Sequence, residues 1–100
     1  MLRPRLLNQD RRPNFLNDER VNMRVLIVDD AKAVHAFVRA VISGPDIEIS
    51  DAYNGREAVD LIVKCAGAFD LVLLDWEMPI LNGIQTLEEV RAKGFTMPIV

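Results

Sequence analysis

With 100 residues, half of them apolar and 27% charged, the chain has material for one domain at most. No apolar run approaches the roughly 18 residues of a membrane span, and a net charge of −3 gives no support to nucleic-acid binding, which draws on a basic surface. The single cysteine, Cys65, excludes an internal disulfide and fits a reducing, cytoplasmic compartment.

Charge is unevenly spread. Residues 1–22 carry five arginines against Asp10, Asp18 and Glu19, a net of +2, together with Pro4, Pro13 and four asparagines. This stretch has neither a helical nor an alternating pattern and reads as a poorly ordered arm. Arg11-Arg12 ahead of Phe15-Leu16 has the beginning of a twin-arginine export signal. Asn17-Asp18-Glu19-Arg20 then stands where an apolar core is needed, and that reading fails. Met23-Arg24 has the form of a natural start, which would make the arm an upstream extension of the reading frame. Residues 23–100 carry seven basic side chains against twelve acidic ones, a net of −5.

Val25-Leu26-Ile27-Val28 is short, fully apolar and rich in β-branched residues, the mark of a strand buried on both faces. It stops abruptly at Asp29-Asp30. Val34, Phe37, Val38, Val41 and Ile42 then form a helical stripe, which Ser43-Gly44-Pro45 ends. His35 is the only histidine. Between Val34 and Ala36, without a partner nearby in sequence, it reads as a helix-surface residue rather than a phosphodonor or metal ligand. Ile47 and Ile49 alternate with Glu48 and Ser50, as in a half-buried edge strand.

Asn54 followed by Glu57 resembles a capping box. Ala58, Leu61, Ile62 and Cys65 supply a second helical stripe that ends near Gly67, with Cys65 read as core. Leu71-Val72-Leu73-Leu74 repeats the first pattern and also ends in a carboxylate, Asp75. Trp76 reads as a packing aromatic. A loop with Pro79, Asn82 and Gly83 leads to a third helix with Ile84, Leu87 and Val90 facing inward, stopping near Gly94. Residues 97–100 begin another strand.

Strands alternating with single helices define a parallel α/β sheet with right-handed crossovers. In such sheets ligands sit outside the carboxyl ends of the strands. An acidic residue at one strand end is often only a solvated loop residue. Asp29, Asp30 and Asp75 delivered to one edge make a chemical site, suited to a cation and a phosphate.

Val28-Asp29-Asp30, Asn54-Gly55 ahead of a helix, Leu74-Asp75-Trp76-Glu77-Met78-Pro79 and Asn82-Gly83, in that order, resemble the receiver domain of two-component response regulators. The Asp-Trp-x-Met-Pro wording is similar to chemotaxis-type, CheY-like receivers, and the resemblance runs over residues 23–100. It implies a flavodoxin-like parallel sheet with helices on both faces and strand order 2-1-3-4-5, here lacking the last strand and the last two helices.

The resemblance further implies that Asp75 is the phosphoacceptor, loaded by a histidine kinase, a phosphotransfer protein or a small phosphodonor. Asp29 and Asp30 match the acidic pair that holds Mg²⁺, Asp30 more directly and Asp29 more through water. Asp75 and the backbone carbonyl of Glu77 match the remaining protein ligands. The chemistry agrees: Mg²⁺ takes about six oxygen ligands and keeps several waters. A divalent cation also offsets the repulsion of clustered carboxylates and neutralises phosphoryl oxygens. A carboxylate nucleophile follows the aspartyl-phosphate pattern.

In the family a Ser/Thr after the fourth strand and a Lys after the fifth complete the site; both would lie beyond Val100. A receiver cut short there would leave its fourth strand as an open edge and uncover Phe37 and Val41, which predicts marginal stability or self-association. Leu6, Leu7, Phe15 and Leu16 of the arm are candidates to cover that face. Two functions follow. One is a regulatory phosphoacceptor in a phosphorelay, at most catalysing its own phosphorylation and dephosphorylation. The alternative is a non-switching receiver that acts only as a protein-interaction module. An aspartate-nucleophile phosphatase is disfavoured, because it needs a second aspartate where Glu77 stands.

Overall fold

The computed structural model describes residues 22–100. The expectations about the arm, its order and its covering of an apolar face, lie outside the described residues. Six elements follow in chain order: β1 (Met23–Val28), α1 (Lys32–Ile42), β2 (Ile47–Ala52), α2 (Gly55–Lys64), β3 (Leu71–Leu74) and α3 (Gly83–Ala92). The strands are parallel and lie in the order β2-β1-β3.

Residues 98–100 pair with the outer edge of β3. The Val72 N–H donates to the Pro98 carbonyl at 3.0 Å, the Val100 N–H to Val72 at 2.9 Å, and the Leu74 N–H to Val100 at 2.9 Å. Ile99 thereby lies opposite Val72 in a parallel bridge. The expected order 2-1-3-4 is present, its fourth place held by a short extended segment.

Burial follows the pattern of the strands. Val25, Leu26, Ile27 and Val28 are at most 1% exposed, because β1 is central and covered on both faces. Leu26 and Val28 join Ala52, Val72, Ala58, Val59, Ile62, Phe69, Val90 and Met97 in the core beneath α2 and α3. Ile27 and Leu73 face the other way, toward Val34 and Val38 of α1. Helices thus cover both faces. Each fully buried valine or leucine here contributes about 1.5–3 kcal/mol relative to exposure.

Two helices turn differently from their apolar stripes. On α1 the one buried residue is His35, while Phe37 and Val41 are 69% and 65% exposed. The expectation of a surface histidine is therefore corrected: His35 takes the place over the sheet because it has polar partners there. The exposed Phe37 and Val41 match the expected uncovered face. On α3 the buried residues are Gly83, Thr86 and Val90, and Ile84 is 51% exposed instead of inward. Small residues win because the start of α3 comes close to the backbone of other elements; the Thr86 hydroxyl is satisfied by donating to the Asn82 carbonyl at 2.7 Å.

The starts of α2 and α3 follow ordinary capping chemistry, with one departure at α2. Asn54 accepts from the Glu57 N–H at 2.8 Å, but Glu57 answers to the Tyr53 N–H, also at 2.8 Å, rather than to its cap residue. Past α2 the Gly67 N–H reaches the Ile62 carbonyl and the Ala66 N–H that of Val63, a Schellman closure. Two residues of this closure are left-handed, Ala66 with φ 54° and Gly67 with φ 73°.

Gly55 opens α2 directly against α3. A methyl group at this position would overlap Thr86 Oγ1 and the Leu81 carbonyl oxygen, and would stand 2.8 Å from Leu81 Cβ. Gly55→Ala is expected to destabilise the chain by roughly 1–3 kcal/mol through overpacking. Urea unfolding followed by circular dichroism measures this; an unchanged midpoint would show that α2 and α3 can separate freely.

Candidate acidic metal and phosphoacceptor site

The sheet delivers the acidic residues. β1 and β3 end in register, Val28 opposite Leu74. Their ladder continues one step: the Asp75 N–H donates to the Val28 carbonyl at 2.9 Å, and the Asp29 N–H to the Ala52 carbonyl of β2 at 3.1 Å. Side-chain oxygens of Asp29, Asp30 and Asp75 then all lie within 4.8 Å of one another, with Asp29 and Asp75 half-buried and Asp30 exposed. Among the described residues no other three potential metal ligands come together in this way. Asp29 also accepts from the Ala31 N–H at 2.9 Å, closing the start of α1, where Ala31 has no side chain able to cap.

The loop after Asp75 is held at its far end by α3. Asn82 and Gln85 form a full capping box, with Asn82 Oδ1 accepting from the Gln85 N–H at 2.9 Å and Gln85 Oε1 from the Asn82 N–H at 3.0 Å. The Gly83 N–H donates to the Trp76 carbonyl at 2.9 Å. A methyl at Gly83 would lie 2.5 Å from the Asp75 carbonyl oxygen and 2.6 Å from Trp76 Cε3. Glycine is therefore what lets the helix press on the backbone that carries Asp75.

Trp76 departs from its reading as a packing residue. It is 61% exposed, with one ring edge over Gly83, and it lines an open cleft of about 410 Å³ with Asp75, Leu74, Leu87, Ile99 and Val100. Glu77 is exposed, and its side chain is not part of the three-aspartate group. Ile80 has φ 74° and is 75% exposed.

Behind the acidic group lies a network that the sequence did not reveal. His35, 2% exposed, sets Nε2 at 2.8 Å from the Asp29 carbonyl oxygen and Nδ1 at 2.6 Å from Asp51 Oδ1. A carbonyl oxygen only accepts, so Nε2 is the donor toward Asp29. The ring stacks on Tyr53, centroids 4.4 Å apart. Arg39 grips Asp51 with two hydrogen bonds of 2.7 Å and reaches the Ile49 carbonyl at 3.2 Å. The available signal was the i, i+4 spacing of His35 and Arg39 on the helix that crosses back to β2, together with an aspartate inside an otherwise half-apolar edge strand.

The donor set suits a hard divalent cation. Oxygens at about 2.0–2.1 Å from Mg²⁺ lie at most about 4.2 Å apart across the ion. A group spread over 4.8 Å reaches that with a small inward movement or with a water in place of one carboxylate. Soft thiolate and imidazole donors, which would favour zinc or copper, are absent from the group: Cys65 packs beside the core and His35 is engaged on both nitrogens.

The fold, the acidic edge and the order of the motifs agree with what comparison with known proteins gives. Residues 25–100 match the family model of the response regulator receiver domain, and the chain belongs to that family. A two-component response regulator of Oryza sativa subsp. japonica is 36% identical over 81 residues, covering 78% of this chain and 63% of the relative. The receiver domain of a Francisella response regulator superposes with a TM-score of 0.69 at 32% identity, over 78% of this chain and 63% of that one. The Thermotoga maritima response regulator TrrA, solved in complex with Mg²⁺ and BeF, gives 0.65 at 35% identity, over 77% and 65%. The chain thus spans just under two thirds of each. It is a receiver of the two-component phosphorelay class. No helix of the described residues is long and apolar enough to cross a membrane.

The network behind the site also sets an acid limit. Hydrogen bonding from Arg39 outweighs burial and, with His35 adding to it, holds the Asp51 carboxyl below its ordinary value of 3.8. A carboxylate so lowered contributes stability that is complete above the ordinary value and is lost as pH falls through the lowered one. Melting temperature is therefore expected to carry an Asp51-dependent fall below about pH 4, absent in Asp51→Asn. Parallel acid limbs in the two proteins would show that Asp51 is not the group responsible.

Proposed function

We propose that Asp75 accepts a phosphoryl group from a phosphorylated histidine of a kinase or phosphotransfer protein, or from a small phosphodonor, with Mg²⁺ held by Asp29, Asp30 and Asp75. The observation that carries this reading is the convergence of three aspartates from two strand ends, within 4.8 Å, at the edge of a receiver fold. Asp75 is the nucleophile because it extends the central pair of strands and stands beside an open cleft. A carboxylate oxygen of Asp75 forms the new bond to phosphorus while the bond from phosphorus to the donor breaks. Asp30, the exposed member, is the more direct metal ligand, and Asp29, already engaged by Ala31, acts more through water. The backbone carbonyl of Glu77 is proposed as a further ligand. Mg²⁺, when bound, offsets the mutual repulsion of the carboxylates and the charge on the incoming phosphoryl oxygens.

The protein is regulatory on this reading, catalysing at most its own loading and unloading, and its place is cytoplasmic. The structures of relatives support it, since TrrA of Thermotoga maritima was captured with Mg²⁺ and BeF. A receiver that only docks on partners would need no assembled acidic group, and the three aspartates argue against that alternative.

Incubating the full chain with acetyl phosphate or a phosphorylated kinase domain, with and without Mg²⁺, decides between them by intact mass. One phosphoryl increment is expected, removed by hydroxylamine as for an acyl phosphate and absent in Asp75→Asn. Asp30→Asn is expected to demand at least about tenfold more Mg²⁺ for the same labelling. Labelling that survives Asp75→Asn, or that ignores chelation of Mg²⁺, would overturn the assignment. Kinase binding without any labelling would favour the interaction module.

A further inference from the structure

We infer that His35 is the positioning residue of the metal site: its Nε2–H holds the Asp29 carbonyl, and through it the turn that presents Asp29 and Asp30. The inference rests on the reading of the acidic group as a Mg²⁺ site. Three observations carry it. His35 is the one residue of α1 that is buried, at 2% exposure, although an apolar side chain would be the ordinary occupant of such a place over a sheet. Its two nitrogens divide between the site and the scaffold, Nε2 to the Asp29 carbonyl at 2.8 Å and Nδ1 to Asp51 at 2.6 Å. The ring cannot drift, because Tyr53 stacks on it and Arg39 fixes Asp51 from the other side.

The peptide that His35 holds is the one that matters for the acids. The Asp29 carbonyl belongs to the peptide joining Asp29 to Asp30, so its orientation sets the direction in which both side chains leave the end of β1. Asp29 Oδ1 meanwhile caps the Ala31 N–H at 2.9 Å. The turn is thus fixed on its carbonyl side by His35 and on its amide side by Asp29 itself. Without His35 the carbonyl loses this restraint, and the two carboxylates, which repel one another and Asp75, keep only the Ala31 cap and the ladder bonds to hold them converged. A neighbour of a metal ligand that orients it in this way typically changes metal affinity by about 10–100-fold when removed.

His35→Phe keeps the ring and its stacking on Tyr53 but removes both ring nitrogens. Arg39→Met removes the other support of Asp51 without touching Asp29. Trp76 fluorescence during a Mg²⁺ titration of the full chain reads the site, and thermal melting reads the scaffold. His35→Phe is expected to raise the Mg²⁺ dissociation constant roughly tenfold, Arg39→Met, which reaches His35 only through Asp51, to raise it clearly less while lowering the melting temperature, and His35→Gln, which keeps one amide donor, to recover most of the affinity. Loss of affinity in Arg39→Met equal to that in His35→Phe, or none in His35→Phe, overturns the positioning role while the metal reading stands. No saturable response in the unsubstituted chain overturns the metal reading and the role with it.

If His35→Phe does not fold, the imidazole ¹⁵N spectrum of the unsubstituted chain decides. The Nε2–H resonance must shift with Mg²⁺ in step with Trp76, ahead of any change at Nδ1. A Nε2–H signal unmoved at saturating Mg²⁺ overturns the inference.

Discussion

Parallel pairing of β1 with β3 in the register Val28 to Leu74 is the constraint on which the site depends. Parallel strands all end at one edge, so two aspartates far apart in sequence become neighbours as soon as their strands pair. The register is itself enforced by burial. Leu26 and Val28 supply the core under α2 and α3, Ile27 supplies the face under α1, and a slip by one residue would exchange the two sets. The same slip would draw Asp75 away from Asp29 by about 3.3 Å, the rise of one residue along a strand. The hydrophobic effect thus sets the spacing of the charges, and the chemistry inherits its precision from packing several ångströms away.

The charges are placed where they do least damage to stability. Three carboxylates within 4.8 Å oppose folding through their repulsion. The structure sets them at the rim of the sheet, with Asp30 in solvent, so that water and a cation can meet their field. What holds them there is mostly uncharged: two ladder hydrogen bonds beyond the strand ends, the cap on Ala31, and the close seat of Gly83 on the Asp75 backbone. The ion-paired support, Asp51 with Arg39 and His35, stands behind the carbonyl of Asp29 and faces away from the cluster. Opposite charge is used to fix the scaffold, and like charge is kept for the site.

The parts that were legible in sequence are those decided by local pattern. Apolar runs ending in aspartate gave β1, β3 and their acids, Asn54 gave the start of α2, and the strand–helix alternation gave the sheet and its helices on both faces. What stayed hidden was decided by tertiary contact. An apolar stripe tells which residues of a helix are greasy, not which of them the neighbouring layer reaches. On α1 the stripe chosen by hydropathy included Phe37 and Val41, whereas the sheet receives His35, because the carbonyl of Asp29 and the carboxylate of Asp51 await it there. On α3 the contact with Gly55 and with the Trp76 backbone demanded Gly83 and Thr86 where Ile84 had been expected. Ala66 adopts the left-handed backbone together with Gly67, since the closure of α2 is set by its hydrogen bonds.

The same kind of bond fastens the segment beside the site. The segment leaving Asp75 is fastened at its start, where the Asp75 N–H meets the Val28 carbonyl, and at its end, where the Gly83 N–H meets the Trp76 carbonyl and the capping box closes α3. Between these fastenings run residues 77–81, of which Met78 and Leu81 pack against the core. The Leu81 N–H there reaches back to the Pro79 carbonyl at 2.8 Å, a γ-turn about Ile80 at φ 74°. That conformation is strained for a β-branched residue, and Ile80, 75% exposed, has little burial to offset the strain. The acidic group is thus bonded on the side of β1 by His35 and the ladder, while on its other side the chain leaves Asp75 through the turn at Ile80.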